Sequence, residues 1–598
     1  MARESIRIGC GGAFWGDSAE GPRQLVLRGT IDYLVLDYLA EITMSILARM
    51  KARDPQAGYA SDFLAQVIQP LAGEIKARGI KVVTNAGGIN PRALKAALEA
   101  TLGDDFRIAA VCGDDLEAAV PALRERDVRE MSSGATLPAR LTSINAYLGA
   151  PPIAAALAAG ADIVITGRGV DSALVLGPLM HEFGWAADDY DRLAAGSLAG
   201  HIIECGTQCT GGLFTDWQAV PGWDDMGYPI AECRADGSFD ITKPPATGGL
   251  VNAATVGEQV VYEIGDPARY LLPDVTCDFS HVRLRDAGPD RVRVSGAKGL
   301  PPGDHYKACA TWADGYRAAT TLMVGGIDAA AKAARSAEAL LARARRLFVE
   351  QGYGDFTETS VEILGNESTY GPHARIAGAR EVVLKLGVRH PSRDALELFA
   401  REILFCATAH APGTTGFAGG RPAVQPVVRL FSCLVPKSLV TVSLEIGDAT
   451  QPVAVAPGAP LPPSSPPRET RPGTVLGSDD PIEIPLVRLA HGRSGDKGDS
   501  ANIGILARRP EYLDVLRIEL TADAVRDWFA HVLTGPVTRY EWPGLDGFNF
   551  VLEGALGGGG VASLRHDPQG KAFAQMLLDM PVRVPSSWDQ PGGILRRF

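Results

Sequence analysis

Several large classes are excluded by what this sequence lacks. No window holds 18 uninterrupted apolar residues, so no helical membrane span is expected. The opening run MARESIRI has no apolar signal core and no cleavage site, which makes the cytoplasm the expected location. Positive charge is short: 58 Lys and Arg stand against 70 Asp and Glu, a net charge of −12. Nucleic acids and anionic membrane surfaces demand a broad basic face, so neither is an expected partner. The nine cysteines form no CxxC pair and are odd in number, the pattern of reduced thiols used as small core residues. Nucleotide motifs are missing as well. The first glycine turn carries Gly9, Gly11, Gly12 and Gly16, which fails the G-x-G-x-x-G spacing, and no P-loop or G-x-S-x-G elbow occurs.

What is present is length and loops. The chain has 598 residues, enough for two to four domains, with 68 Gly and 41 Pro to shape turns. Its first 180 residues repeat one pattern of short apolar run, polar or glycine turn, and helical stretch. The runs are Ile6–Cys10, Tyr33–Leu36, Lys81–Thr84, Ile108–Cys112 and Ile163–Thr166. The expected helices are Glu41–Lys51, Pro91–Leu102, Asp115–Arg126 and Ser172–Phe183, the second capped by Asn90 before Pro91. Such alternation predicts an α/β fold: an open, mostly parallel sheet with helices on both faces and a sheet core at about 1–190.

A mixed, glycine-rich α/β middle follows. It contains a long helix at Asp328–Gln351 and an alternating strand at Leu439–Ile446, and it extends the first region to 450. Residues 451–480 are rich in Pro, Ser and Gly and read as a linker. The last unit, 481–598, orders as a two-layer α+β sandwich. Its expected elements are strands Ile482–Leu489, Ile503–Ala507 and Phe548–Leu552, helices Ala522–Leu533 and Gln569–Asp579, and a tetraglycine turn Gly557–Gly560.

Ligands of parallel sheets bind beyond the carboxyl ends of the strands. There the sequence places Gly11, Gly12 and Asp17; Asp37 and Glu41; Asn85, Gly87, Gly88 and Asn90; Asp114 and Asp115; and Arg168 and Asp171. Each polar residue alone is equally well explained as a helix cap. All five strand ends together favour a site. Crowded carboxylates drive one pKa upward, which makes Asp37 or Glu41 a candidate general base. Arg168 and Asp171, with Asn85 and the backbone of Gly87 and Gly88, are candidates for binding an anionic substrate.

In GHIIECGTQCTGG (200–212), His201, Cys205 and Cys209 would share one helical face, with Glu204 beside them. Gly206 threatens that helix, so no metal ligand is assigned. His201 and Cys205 stand as acid–base candidates, with buried core cysteines as the plain alternative. The densest cluster is HGRSGDKGDSAN (491–502). His491, Arg493, Asp496, Lys497, Asp499 and Asn502 form a glycine-rich loop suited to phosphate, with a divalent metal as an option through the aspartates. The alternative is a self-satisfied hairpin in which Asp496 and Asp499 pair with Arg493 and Lys497. Lys307 reads as a phosphate contact or a solvated lysine.

IRIGCGGAFWGD, DYLVLDYLAEITMSIL, TNAGGINP, DIVITGRGVDSAL, GHIIECGTQCTGG and TVGEQVVYEIGDPARYLLPDV together resemble the acyclic terpene utilisation AtuA family. HGRSGDKGDSANIG is similar to the loop of that family's C-terminal ferredoxin-like domain. The resemblance implies a catabolic enzyme of acyclic terpenoid or branched-acid breakdown. The implied reaction is lyase or hydratase chemistry on a carboxylated 3-hydroxy-3-branched acyl-CoA, with CoA present as part of the substrate. It also implies association with acyl-CoA catabolic enzymes; the alternative is a non-catalytic acyl-CoA-binding subunit of a carboxylase. A homo-oligomer is the default expectation for a protein of this size.

Overall fold

The structure is a computed structural model. It describes residues 3–376, 378–462, 480–560 and 562–596, apart from the side chains of 417 and 418. Most of the expected linker therefore lies outside the described residues. Five short, β-branched-rich strands form the parallel heart: β1 (Ser5–Cys10), β2 (Tyr33–Leu36), β3 (Lys81–Thr84), β4 (Ile108–Cys112) and β6 (Ile163–Thr166), in the order β1-β2-β3-β6-β4. β5 (Ser143–Ala146) leaves this sheet and pairs antiparallel with Thr311–Ala308 of a second one. Six antiparallel strands from later in the chain widen the first sheet to eleven. Ile230–Arg234 flanks β1, and Ser443–Ile446 flanks β4.

Alternate residues of the parallel strands feed two separate cores, as a sheet covered on both faces requires. Leu34, Leu36, Val82, Ile108, Ile163 and Ile165 pack under the helices of residues 20–102. Tyr33, Val35, Val83, Ala109, Val111 and Val164 pack under helices drawn from residues 151–203. The α/β expectation, with helices on both faces, describes this arrangement.

Pro91–Leu102 starts on proline, buries Leu94 and Leu98 one turn apart, and stops at Gly103 with φ +58°. Asn90 does not cap it. Its side chain instead donates to the carbonyls of Pro55 and Ala57, which fixes the preceding loop. Ser172–Phe183 begins one residue late, at Ala173. The expected helix Asp115–Arg126 is confined to Val120–Glu125 after a short 3₁₀ turn.

The second sheet is built on one 21-residue strand, His305–Gly325. Its first half pairs with Gln425–Pro436 and its second half with Glu381–His390. Helix Ala329–Gln351 covers it, burying Ala333, Ala337, Leu340, Ala344 and Phe348 at helical spacing.

The C-terminal unit has its own core and a four-stranded antiparallel sheet. Here the expected elements need correction. Ile482–Leu489 is a strand only to Pro485, and the polar loop 491–502 is itself a hairpin, Ala490–Lys497 with Ser500–Ala507. Glycines inside it let the end of the helix Ala253–Val260 approach closely: a Cβ on Gly504 would lie 2.2 Å from Val261 Cγ2. The two helices are shorter than expected, Ala522–Trp528 and Phe573–Leu578. Among the described residues no helix is long and apolar enough to cross a membrane.

Candidate functional site

The carboxyl ends of β2, β3 and β6 do converge. Asp37 is buried, and its Oδ1 accepts from Asn85 Nδ2 at 2.6 Å. Asn85 is locked in turn by the Tyr38 amide, which donates to its Oδ1 at 2.7 Å. Burial, then the charge of Asp171, pushes the Asp37 carboxyl well above the usual range, against Arg168 and Asn85.

Arg168 is 4 % exposed. Its backbone N–H donates to Asp114 Oδ2 at 2.9 Å, and Asn145 holds the same oxygen at 2.8 Å. Its guanidinium stacks over Tyr147 at 4.2 Å and donates through Nη1 to Asp171 at 2.7 Å. Its buried Nε has no partner. The Gly87–Gly88 turn packs tightly beside these groups. A Cβ on Gly87 would meet the Thr166 carbonyl at 2.5 Å, and the Gly88 amide is used within the turn, donating to Asn85 O.

The second sheet supplies a facing wall. Tyr147, just beyond β5, donates its hydroxyl to Glu41 Oε1 at 2.5 Å, and Lys307 Nζ lies 3.5 Å from the same oxygen. Burial opposes ionisation of Glu41. Lys307, Arg168 and the tyrosine hydroxyl override it and hold the carboxyl below the ordinary range. Glu41, Met44, Asn145, Tyr147, Arg168, Cys309 and Thr311 line a recess here.

The helix Tyr190–Ile203 delivers His201 and Glu204, joined Nδ1 to Oε1 at 3.1 Å. Burial, opposed by His201, raises the Glu204 carboxyl to about 7. The helix ends before Cys205, and Gly206 turns with φ +59°. Cys209 therefore leaves the face of His201, its thiol directed to the Gly206 carbonyl. Burial and then Glu204 push the Cys205 thiol well up, so it stays protonated. Among the described residues no group of three or more His, Cys, Asp or Glu is arranged to hold a metal ion.

The C-terminal hairpin closes the same cleft. Lys497 Nζ lies 3.5 Å from Glu263 Oε2 and within electrostatic reach of Glu41 and Asp171. Lys571 donates to the Tyr262 hydroxyl and sits 3.8 Å from Asp496. Burial and the Glu263 charge raise Asp496 to about 6.

The remaining residues of the cluster join the domains instead of facing the cleft. Arg493 donates to Gln208 and, at 3.1 Å, to Leu213 O, and its guanidinium lies over Tyr262. Asn502 donates to Val261 O at 2.9 Å and accepts from the Glu263 amide at 2.8 Å. His491 shares Asp216 with Arg508. Asp499 is tied back to the tetraglycine turn, accepting from Gly558 N at 2.7 Å. The charges of the hairpin are thus satisfied across to other elements, not within it.

The two clusters that the sequence keeps far apart form one composite cleft. Glu41 keeps 28 % side-chain exposure, Asp171 35 %, Glu263 28 %, Lys571 37 % and Lys497 51 %. Burial still weighs on Glu41, Glu263 and Lys497, and in each case neighbouring opposite charges outweigh it and favour the charged form. These groups are reached by water yet crowded by protein, as the lining of a cleft is. Tyr147, Glu204, Tyr262, Glu263 and Lys571 join the residues singled out from sequence. Glu204 was legible as the neighbour of His201; the others are two tyrosines, a glutamate and a lysine with no local pattern.

Comparison with known families gives two matches. The model for the acyclic terpene utilisation family protein AtuA matches residues 6–446, and the model for the AtuA ferredoxin-like domain matches 484–583. No curated protein and no solved structure matches the chain.

Proposed function

Because the chain belongs to the acyclic terpene utilisation family AtuA, we propose that its cleft cleaves or hydrates a carboxylated 3-hydroxy-3-branched acyl-CoA. One observation carries this reading. A carboxyl poised near neutrality (Glu204), a second pushed well above its usual range by burial (Asp37) and a buried arginine with an unpartnered Nε share one cleft. Environments that set carboxyl pKa values apart assign acid and base roles.

In the cleavage direction Glu204, backed by His201, takes the proton of the tertiary hydroxyl. The hydroxyl oxygen becomes a ketone as the C2–C3 bond breaks, and the bonding pair enters the thioester enolate. Asp37 returns a proton to C2. Arg168 holds the substrate carboxylate through its free donor, as planar guanidinium recognition favours. Glu41 stays ionised and fixes Tyr147 and Lys307.

The test is incubation of the pure protein with branched 3-hydroxyglutaryl-CoA analogues, with products followed by mass spectrometry. A ketone-bearing acid and a shortened thioester are the expected products. Absence of turnover with and without divalent metal overturns the reading. Stable co-purification with a carboxylase and no intrinsic turnover would support the binding-subunit alternative.

A further inference from the structure

The cleft has two cationic poles, and only one has been given a ligand. The first pole is Arg168 with Lys307, both over the ring of Tyr147. The second comes from the C-terminal domain: Lys497, with Lys571 beside Tyr262. The second tyrosine repeats the arrangement of the first, because Arg493 and Lys571 lie over its ring at 5.0 and 4.6 Å. Arg493 is spent on Gln208 and Leu213, which leaves the two lysines as the open cations of this pole.

Both lysines are held only loosely by acids, although Lys571 also donates to the Tyr262 hydroxyl. Lys497 has one carboxylate at 3.5 Å and Lys571 one at 3.8 Å, longer than a formed charge-assisted hydrogen bond. Both keep water-exposed area inside the cleft. A tight ion pair would have closed these distances. A cation near an anion but not bonded to it has room for a ligand oxygen.

The placement of Lys497 is fixed at the backbone. Lys497 ends its strand immediately before the turn Gly498–Asp499. That turn is gripped from the tetraglycine segment: the Ala555 and Leu556 amides donate to Asp499 O, and the Gly558 amide to its carboxylate. A Cβ on Gly559 would fall 2.0 Å from Gly498 O, so only glycine permits this contact.

We propose that Lys497 and Lys571 form a second anion site, contributed by the ferredoxin-like domain, which takes a carboxylate of a substrate whose other anionic end is held at Arg168. The site suits a dicarboxylate; a half-thioester presents one free carboxylate and fills only one of the two poles with it. A carboxylate is favoured over CoA phosphate because Glu263 and Asp496 flank both lysines and would repel a multiply charged group. This inference rests on the reading of the cleft as a substrate site, but it does not need turnover.

The experiment measures binding of two unreactive probes, glutarate and free CoA, by calorimetry to the full chain, to Lys497→Met and to Lys571→Met. Melting temperatures of the variants establish that they are folded. The expected result is glutarate binding by the wild type and a loss of about tenfold or more in each variant, with free CoA unaffected. A wild type that binds no glutarate, or variants that bind it unchanged, overturns the proposal. Loss of free CoA binding alone also overturns it and assigns the lysines to phosphate. Glutarate binding that depends on the lysines, in a protein without turnover, keeps the site and removes the lyase reading. If a variant fails to fold, Lys497→Arg and Lys571→Arg replace it, with retained glutarate affinity expected and loss in both overturning the site.

Discussion

The carbonyl oxygen of Gly498 occupies the space that a side chain at Gly559 would need. Gly560, its neighbour, also has a positive φ but open space around its missing Cβ. An alanine at either position bears left-handed strain of about 1–2 kcal/mol. Only Gly559→Ala adds a collision that must displace the hairpin tip carrying Lys497. The expected outcome is a larger fall in both melting temperature and glutarate affinity for Gly559→Ala than for Gly560→Ala. Equal effects would show that the turn does not position the lysine.

Glu204 has its carboxyl raised to about 7 by burial, with His201 opposing. A base works deprotonated, so kcat/KM should climb through a limb near pH 7. Glu204→Gln should remove that limb and lower kcat by about 10² to 10⁴. A variant that keeps both the limb and the rate would reassign the base.

Arg168→Lys keeps the charge and the backbone bond to Asp114 but loses the planar stack on Tyr147 and the free Nε. Affinity for carboxylate ligands should fall by about tenfold, a change of about 1.4 kcal/mol, with the fold retained. Titration of glutarate against both proteins reads this directly, and identical affinities would release Arg168 from the binding role.

Asp216 joins the domains through Arg508 and His491, and their hydrogen bonds hold its carboxyl below the ordinary range. The folded form therefore binds the proton more weakly than the unfolded chain. The resulting stability is complete above about pH 4 and is lost as pH falls toward the depressed folded value. Melting curves across that acid range should fall more steeply for the wild type than for Asp216→Asn. Parallel curves would mean that this pair adds no acid sensitivity.

The parallel heart was legible because strands buried on both faces are continuous apolar runs, and each run ends in glycine or a polar group. Asp37, Asn85 and Arg168 could be read on one rim for that reason. The hairpin at 490–507 was not legible as strand. Its glycines and charges imitate a loop, and they are tolerated only because Val261, Tyr262 and Glu263 pack against them. The union of the two clusters was hidden for a related reason: no local pattern announces that Lys571 will reach Tyr262, or Tyr147 reach Glu41. Such pairs are set by tertiary packing alone. Cys209 shows the converse, since its helical spacing from His201 is real in sequence and is cancelled by the turn at Gly206.

The strand Ser443–Ile446 covers the free edge of β4 in the first sheet, and the first family match ends on its last residue, Ile446. During synthesis β4 leaves the ribosome about 330 residues before its antiparallel partner, a delay of roughly 15–65 seconds at about 5–20 residues per second. Through that interval the edge of Ile108–Cys112 is an open template for wrong pairing. Newly made chains are thus at their most aggregation-prone before residue 446 emerges, and truncations short of it should collect in the insoluble fraction.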